Sequence, residues 1–260
     1  MKLTVTVITY NESAHIAAAL DSVSWADEII VVDSGSTDGT AEIARGRATR
    51  VITRAWEGYS AQKNFAADQA THDWVLSMDA DERVTPALAR EVREILDRTP
   101  SARGYRIRRV THYLGRWIRS TDWSHDYQLR LYDRRAGRWN GMRIHESFRL
   151  TEGRPVKLRG ALEHYAYHDI AHHLQKINAY TTLIAEQWNE EGRRTNPLAM
   201  TIHPWAAFLR NYVMRRGFTE GSVGFVISIM NSYYVFLKLA KLWEKQRTRP
   251  HRAPRTADTA

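Results

Sequence analysis

A short apolar strand that runs straight into carboxylates constrains this chain more than any other stretch. It reads His72-Asp73-Trp74-Val75-Leu76-Ser77-Met78-Asp79-Ala80-Asp81-Glu82-Arg83. Trp74, Val75, Leu76 and Met78 form a run too brief for a membrane span or a core helix, which predicts a buried strand. Acids occupy three of the next four positions, and Thr85-Pro86 then opens a helix. A strand that ends this way puts oxygen ligands at the carboxyl edge of a sheet, where open α/β sheets bind their ligands. On an extended chain Asp79 and Asp81 point the same way and can share one divalent cation. Mg²⁺ or Mn²⁺ accepts carboxylates and leaves positions for phosphate oxygens. The competing reading is an acidic turn that caps the following helix, since Asp and Glu favour a helix N-terminus.

The sequence around this strand alternates between strand and helix patterns. Leu3 to Thr9 is β-branched and apolar; Asn11-Glu12-Ser13 then caps a helix to about Val23, with Ile16, Ala19, Leu20 and Val23 on one face. Glu28-Ile29-Ile30-Val31-Val32-Asp33 reads as a parallel strand covered on both faces. Ser34 to Thr40 turns into a helix, a strand follows near Arg50 to Thr53, and a helix near Ser60 to Ala70. The alternation predicts a parallel, doubly wound sheet with helices on both faces. From Gly104 the pattern changes: Tyr105 to Val110 and Gln128 to Tyr132 alternate like strands with one wet face. The aromatic and basic loop Tyr113-Leu114-Gly115-Arg116-Trp117 lies between them, and Arg138 to Gly141 and Ile144 to Phe148 close the region. Helices are expected over Asp169 to Glu191, Leu198 to Arg216 and Ser222 to Glu244. The expected organisation is a sheet domain over 1–168, a helical region over 169–246 and a disordered polar tail over 247–260.

Composition removes several functions. There is no cysteine, which rules out thiolate chemistry and disulfides and fits a reducing cytoplasm. Met1-Lys2-Leu3-Thr4-Val5 enters a strand directly, without the apolar run of a signal peptide. A net charge of +9 calls for anionic partners: nucleic acid, an acidic membrane surface or phosphorylated substrates. Nucleic acid is disfavoured, because no recognisable module is present and Asp79 and Asp81 repel phosphate unless a metal intervenes. A nucleotidyltransferase would carry a glycine- and lysine-rich phosphate loop near its start. A dinucleotide-binding fold needs glycines after the first strand, where this chain has Tyr10-Asn11-Glu12-Ser13. Asp33 then suits a nucleotide whose diphosphate is held by metal, against the alternative of an Asx turn or helix cap.

Two acids compete for the role of general base. Glu146, in His145-Glu146, follows a glycine turn downstream of the metal acids; Asp126, in Ser124-His125-Asp126-Tyr127, is the alternative. His164, His168, His172 and His173 have no His-Glu-x-x-His arrangement and read as structural, with His164 alone able to reach a metal. Val223 to Leu237 is shorter than the roughly 20 residues a span needs, and Asn231 and Ser232 interrupt it. It reads as an interfacial helix, with Arg210, Arg215 and Arg216 favouring anionic lipid; a core helix or a homodimer interface is the alternative.

Val7-Ile8-Thr9-Tyr10-Asn11-Glu12, Val32-Asp33-Ser34-Gly35-Ser36-Thr37-Asp38-Gly39-Thr40 and Met78-Asp79-Ala80-Asp81-Glu82, in this order and spacing, resemble family 2 glycosyltransferases with the GT-A fold. His145-Glu146 and Tyr233 to Lys238 extend the resemblance toward the lipopolysaccharide core β-glucosyltransferases. The resemblance implies a nucleotide-diphospho-sugar transferase sheet with a C-terminal helical extension. It also implies that Thr9, Asn11 and Glu12 line the nucleotide pocket, that Asp33 contacts the base, and that Gln62, Lys63 and Asn64 meet the nucleotide or its diphosphate. Asp79 and Asp81 would hold Mg²⁺ or Mn²⁺. Many relatives carry Glu-Asp where this chain has His145-Glu146, so the base role passes to Glu146. The implied reaction is inverting transfer of glucose from UDP-glucose to a glycolipid, the lipopolysaccharide core. It would take place on the inner face of the cytoplasmic membrane. Another cell-envelope glycan or a protein acceptor is the alternative.

Overall fold

The computed structural model describes residues 1–141 and 146–248. In chain order the first part holds β1 (Leu3–Thr9), α1 (Ile16–Asp21), β2 (Glu28–Asp33), α2 (Thr40–Arg45), β3 (Arg50–Thr53), α3 (Tyr59–Asp68), β4 (Trp74–Asp79), β5 (Glu82–Val84) and α4 (Pro86–Asp97). β6 (Gly104–Tyr113), β7 (Arg116–Trp117), β8 (Tyr127–Asp133), β9 (Gly137–Trp139), β10 (Phe148–Leu150) and β11 (Val156–His164) follow. The main sheet has the order β3-β2-β1-β4-β8-β6-β11-β5, with β7 hanging from β6. β3, β2, β1 and β4 are parallel. β8 enters antiparallel between β4 and β6, and β5 closes the far edge antiparallel to β11.

Every residue of β1 and β2 is buried. Their alternate side chains enter two cores, as a sheet covered on both faces requires. Val5, Val7, Ile29, Val31, Leu76 and Met78 pack with Ile16 and Leu20 of α1, Ala44 of α2 and Leu88, Val92 and Leu96 of α4. Ile8, Ile30 and Val32 face the other way, onto Ala66 of α3. The helices therefore lie on opposite faces of the sheet, and its carboxyl edge is left to loops. α4 starts where Thr85 caps it, accepting from the Leu88 N–H, with Pro86 in the first turn. α4 lies so close to β11 that a Cβ on Gly160 would sit 2.5 Å from Leu88 Cα, so this strand position must be glycine.

Several local expectations change. α1 begins at Ile16 without a side-chain cap; Asn11, Glu12 and Ser13 are spent on loop contacts. β4 ends at Asp79, and Ala80-Asp81 forms a tight turn into β5, so the two aspartates do not share one extended strand. The polar face of β8 is not wet, since Arg130 is only 2% exposed. β11 was not expected at all, because Lys157, Arg159 and Gly160 break its apolar alternation.

The sheet unit is Met1–Ile170, and a helical unit begins at Ala171. Its helices are α5 (Ile170–Glu190, starting one residue earlier), α6 (Pro197–Leu209) and α7 (Gly221–Arg247). α6 contains Pro204 and continues as a π turn over Arg210–Met214. α7 outruns the apolar stretch that marked it in sequence, and by length and composition it suffices to cross a membrane. A Cβ on Gly224 would fall 1.8 Å from the Gly217 carbonyl oxygen, so the turn between α6 and α7 closes only on glycine. His145 and residues 249–260, which include most of the expected tail, lie outside the described residues.

Candidate active site

The carboxyl ends of the parallel strands bring Thr9, Asp33 and Asp79 to one edge, since Thr9 pairs with Asp33 and Ile8 with Asp79. Asp33 is 2% exposed, and its carboxylate accepts from the Gly35 and Ser36 amides at 3.0 Å and from the Ser36 hydroxyl. This is the Asx turn left open as an alternative in the sequence. Asn11, in the left-handed region at φ 53°, accepts from the Thr37 amide at 2.9 Å and donates its own amide to Ser36 Oγ at 2.8 Å. The Glu12 amide donates to Thr40 Oγ1 at 2.8 Å. Two loops are thus clasped together over the ends of β1 and β2.

α3 supplies the opposite wall. Gln62 is fully buried and donates to Ser34 Oγ at 3.0 Å and to the Arg54 carbonyl at 3.3 Å. Its Oε1 and the hydroxyl of Thr9 are buried without a hydrogen-bond partner among the described residues. Buried polar atoms without partners are uncommon and mark a place where a ligand can supply them. Asn64 uses both ends of its amide on the Trp139 backbone, at 3.0 and 3.2 Å, and so anchors β9.

Between these walls is a buried charge network. Lys63, its side chain wholly buried, has Nζ 3.0 Å from Asp79 Oδ1 and 2.9 Å from Glu146 Oε1, with the Trp139 ring 4.7 Å away. Asp79 Oδ1 nonetheless lacks a directed hydrogen bond, so the Lys63 contact is an ion pair only and leaves acceptor capacity. Arg130 Nη2 donates to Asp79 Oδ2 and, at 2.8 Å, to Glu82 Oε1. Glu82, fully buried, also accepts from the Asp79 amide at 3.0 Å and from Arg109 at 3.3 Å. Arg109 continues to Asp126, which it meets at 2.7 Å through Nε and 2.6 Å through Nη2. Burial alone would raise the Asp79 pKa, but the charges of Arg130, Lys63 and Arg109 hold it far below the usual carboxylate range. Burial likewise opposes ionisation of Asp126, and Arg109 with Gln128 outweighs it, so its pKa also falls.

Asp81 projects from the turn after β4. Its Oδ2 lies 3.6 Å from His164 Nε2 at the end of β11, and both side chains are about one-seventh exposed. Thr111 Oγ1 sits 3.3 Å from His164 Nδ1, which turns the other ring nitrogen toward Asp81. A carboxylate oxygen facing an imidazole nitrogen oriented from behind is a donor set that suits Mn²⁺ or Mg²⁺ with further oxygen ligands from a bound molecule. No group of three or more His, Asp or Glu side chains able to hold a metal occurs among the described residues. Asp79 has both oxygens beside cations, so Asp81 and His164 are the pair that fits an ion. Of the residues singled out in sequence, Asp79, Lys63 and Glu146 are brought together, and Asp81 meets His164. Arg130, Glu82 and Arg109 escaped sequence reading. Arg130 and Arg109 looked like solvent-facing positions of ordinary strands, and Glu82 like a third member of the acidic turn.

Comparison with known proteins gives the family and the fold. The glycosyl transferase family 2 model matches residues 4–152, which hold the paired loops, the acids after β4 and Glu146. The chain is 31% identical to the lipopolysaccharide core biosynthesis glycosyltransferase LpsC of Rhizobium meliloti, with 96% of each chain covered. It is 32% identical to an uncharacterised glycosyltransferase of Rickettsia prowazekii, covering 93% of this chain and 86% of that one. Among solved structures, the mannosyltransferase PcManGT of Pyrobaculum calidifontis, in complex with GDP-Man and Mn²⁺, has the same fold. It aligns at a TM-score of 0.53 and 17% identity over 94% of this chain and 88% of its own. The GT-A type sheet, the site at its carboxyl edge and the match across more than half the chain lead to one conclusion: the chain belongs to glycosyltransferase family 2.

Proposed function

We propose that this chain transfers glucose from UDP-glucose to a hydroxyl of the lipopolysaccharide core, with inversion at the anomeric carbon. The observation that carries the reading is Lys63, whose ammonium bridges Asp79 at the sheet edge and Glu146 beyond it. One buried cation thus ties the nucleotide side of the site to a carboxylate suited to be a base. The acceptor is inferred from the likeness to LpsC, and a membrane-held acceptor puts the enzyme on the cytoplasmic face of the inner membrane.

In this reading the nucleoside lies over the clasped loops, within reach of Thr9, Asp33 and Gln62. Asp79 Oδ1 accepts a donor hydroxyl with the capacity left beside Lys63. Asp81 and His164 would hold Mg²⁺ or Mn²⁺, which when bound supplies positive charge beside the leaving diphosphate. Glu146 takes the proton from the acceptor hydroxyl as its oxygen attacks the anomeric carbon. The bond from that carbon to the diphosphate oxygen breaks, and UDP departs with the bonding pair. Attack from the face opposite the leaving group converts an α-linked donor into a β-linked product. Glu146 accepts from Lys63 through Oε1, a cation it shares with Asp79, whereas the Asp126 carboxylate is held by two nitrogens of Arg109 and by Gln128 at 2.6 Å; the base is therefore assigned to Glu146.

The test is release of nucleoside diphosphate from a panel of sugar nucleotides, with a core oligosaccharide acceptor, with and without EDTA. Metal-dependent release of UDP from UDP-glucose that requires acceptor is expected. Release from a different sugar nucleotide would reassign the donor, and full activity in EDTA would remove the metal.

A further inference from the structure

We propose that α6 and the turn after it form a membrane-docking face that lies flat in the headgroup region of an anionic bilayer. The face itself is read from the surface of the helical unit; its purpose, delivery of the site to a lipid-held acceptor, rests on the proposed function.

Leu198, Ile202, Trp205, Leu209 and Val213 are 67, 54, 65, 53 and 53% exposed. They recur at intervals of four, three, four and four residues, which puts them in one stripe down the helix. Met214 and Phe218, 76 and 50% exposed, continue it through the turn. Soluble surfaces rarely leave so many large apolar side chains contiguous. Pro204 and Ala207, on the other side of α6, are buried, and Ser232 of α7 donates to the Pro204 carbonyl at 2.9 Å. Phe208 and Tyr212 meet Phe225 of α7 edge to face. The inner face of α6 is thus already packed, and the stripe points away from α7.

Charge selects the occupant. From Gly192 to Trp243 the chain has one acid, Glu220, which is only 7% exposed. Arg210, Arg215 and Arg216 are exposed at the same end as Leu209, Val213 and Met214. An apolar stripe bordered by arginines and free of exposed carboxylates matches anionic lipid, whereas a second copy of so basic a surface would meet repulsion. Each basic residue close to such a surface strengthens binding about fivefold at low salt. A crossing by α6 and its π turn would carry Arg210 into hydrocarbon, which is expensive; lying in the interface leaves Arg210, Arg215 and Arg216 among phosphates. The outward apolar stripe and the arginines beside it make α6 the docking element, whereas sequence hydropathy singles out α7.

Because the chain has no cysteine, single cysteines report one place each. Ile202→Cys, Leu209→Cys and Val213→Cys, each carrying an environment-sensitive fluorophore on the full chain, are titrated with phosphatidylglycerol-containing and with pure phosphatidylcholine vesicles, without donor or acceptor. Blue-shifted emission from every position on the anionic vesicles alone, reversed by high salt, is expected. Leu209→Glu with Val213→Glu, its circular dichroism and melting unchanged, should lose at least about tenfold in partition, the worth of burying one such side chain. No shift on anionic vesicles, equal shifts on neutral ones, or a lipid-free dimer whose labels are already blue-shifted would overturn the proposal. Retention in the membrane after alkaline carbonate would also overturn it, in favour of a spanning α7. Since the assay contains no substrate, it can succeed where sugar transfer fails, and fail where transfer succeeds.

Discussion

At the end of β4 the side chains of Lys63, Glu82 and Arg130 are almost wholly out of water and Asp79 is three-quarters buried. Along α6, Leu198, Trp205 and Leu209 are more than half exposed. The two regions invert the usual rule that apolar groups go inside and charges outside. Each inversion is informative because each carries a free-energy penalty in water. Buried charges persist only when paired, and here every one is, so the sheet unit invests in a fixed electrostatic site. Exposed apolar side chains persist when another phase covers them, the role proposed above for the outward stripe of the helical unit.

Mutations should separate the two investments. The largest effect is expected from Asp81→Ala, which should abolish transfer and weaken Mn²⁺ binding while leaving the thermal melt intact. Its side chain stands in a turn beside His164 rather than in the core. Near-normal turnover at saturating Mn²⁺ would exclude Asp81 from the site. Glu146→Gln should slow turnover by roughly two to four orders of magnitude with donor affinity nearly unchanged, the usual worth of a general base. If Asp126→Asn gives that pattern and Glu146→Gln does not, the base is Asp126.

Arg130→Met tests the buried network through stability. It leaves Asp79 and Glu82 short of a cation, and breaking such a pair costs about 3–5 kcal/mol, to be read from urea unfolding. In the helical unit the corresponding buried group is His173 of α5, 2% exposed. Burial, with His172 and Lys176 nearby, lowers its pKa from 6.5 to about 4. The neutral form is thus favoured on folding. Its stabilisation is complete above pH 6.5 and is lost as the pH falls toward about 4, a loss on the order of 1–3 kcal/mol. His173→Gln should flatten the melting temperature across that window. The smallest effect belongs to the exposed stripe: Leu209→Glu should change stability by less than about 0.5 kcal/mol, as surface substitutions do. A large loss there would mean the stripe is core and would remove the contrast.

What the sequence by itself determined is local. β2 (Glu28–Asp33) and β3 (Arg50–Thr53) lie where the apolar runs put them, because an uninterrupted β-branched segment has few ways to bury itself. The acids after β4 and the loop Ser34 to Thr40 were legible because their spacing has a chemical meaning without reference to the rest of the chain. The tertiary structure decided the partnerships. Arg130 and Leu131 are neighbours in β8, and only the insertion of that strand between β4 and β6 makes one a ligand of Asp79 and the other core. His164 became the companion of Asp81 because β11, hidden in sequence by its charged and glycine positions, returns beside β6 and β5. A charged side chain carries no mark in sequence of whether water or another charge will surround it. That is settled by the strand next to it, often 50 or more residues away, as with Arg130 and Asp79.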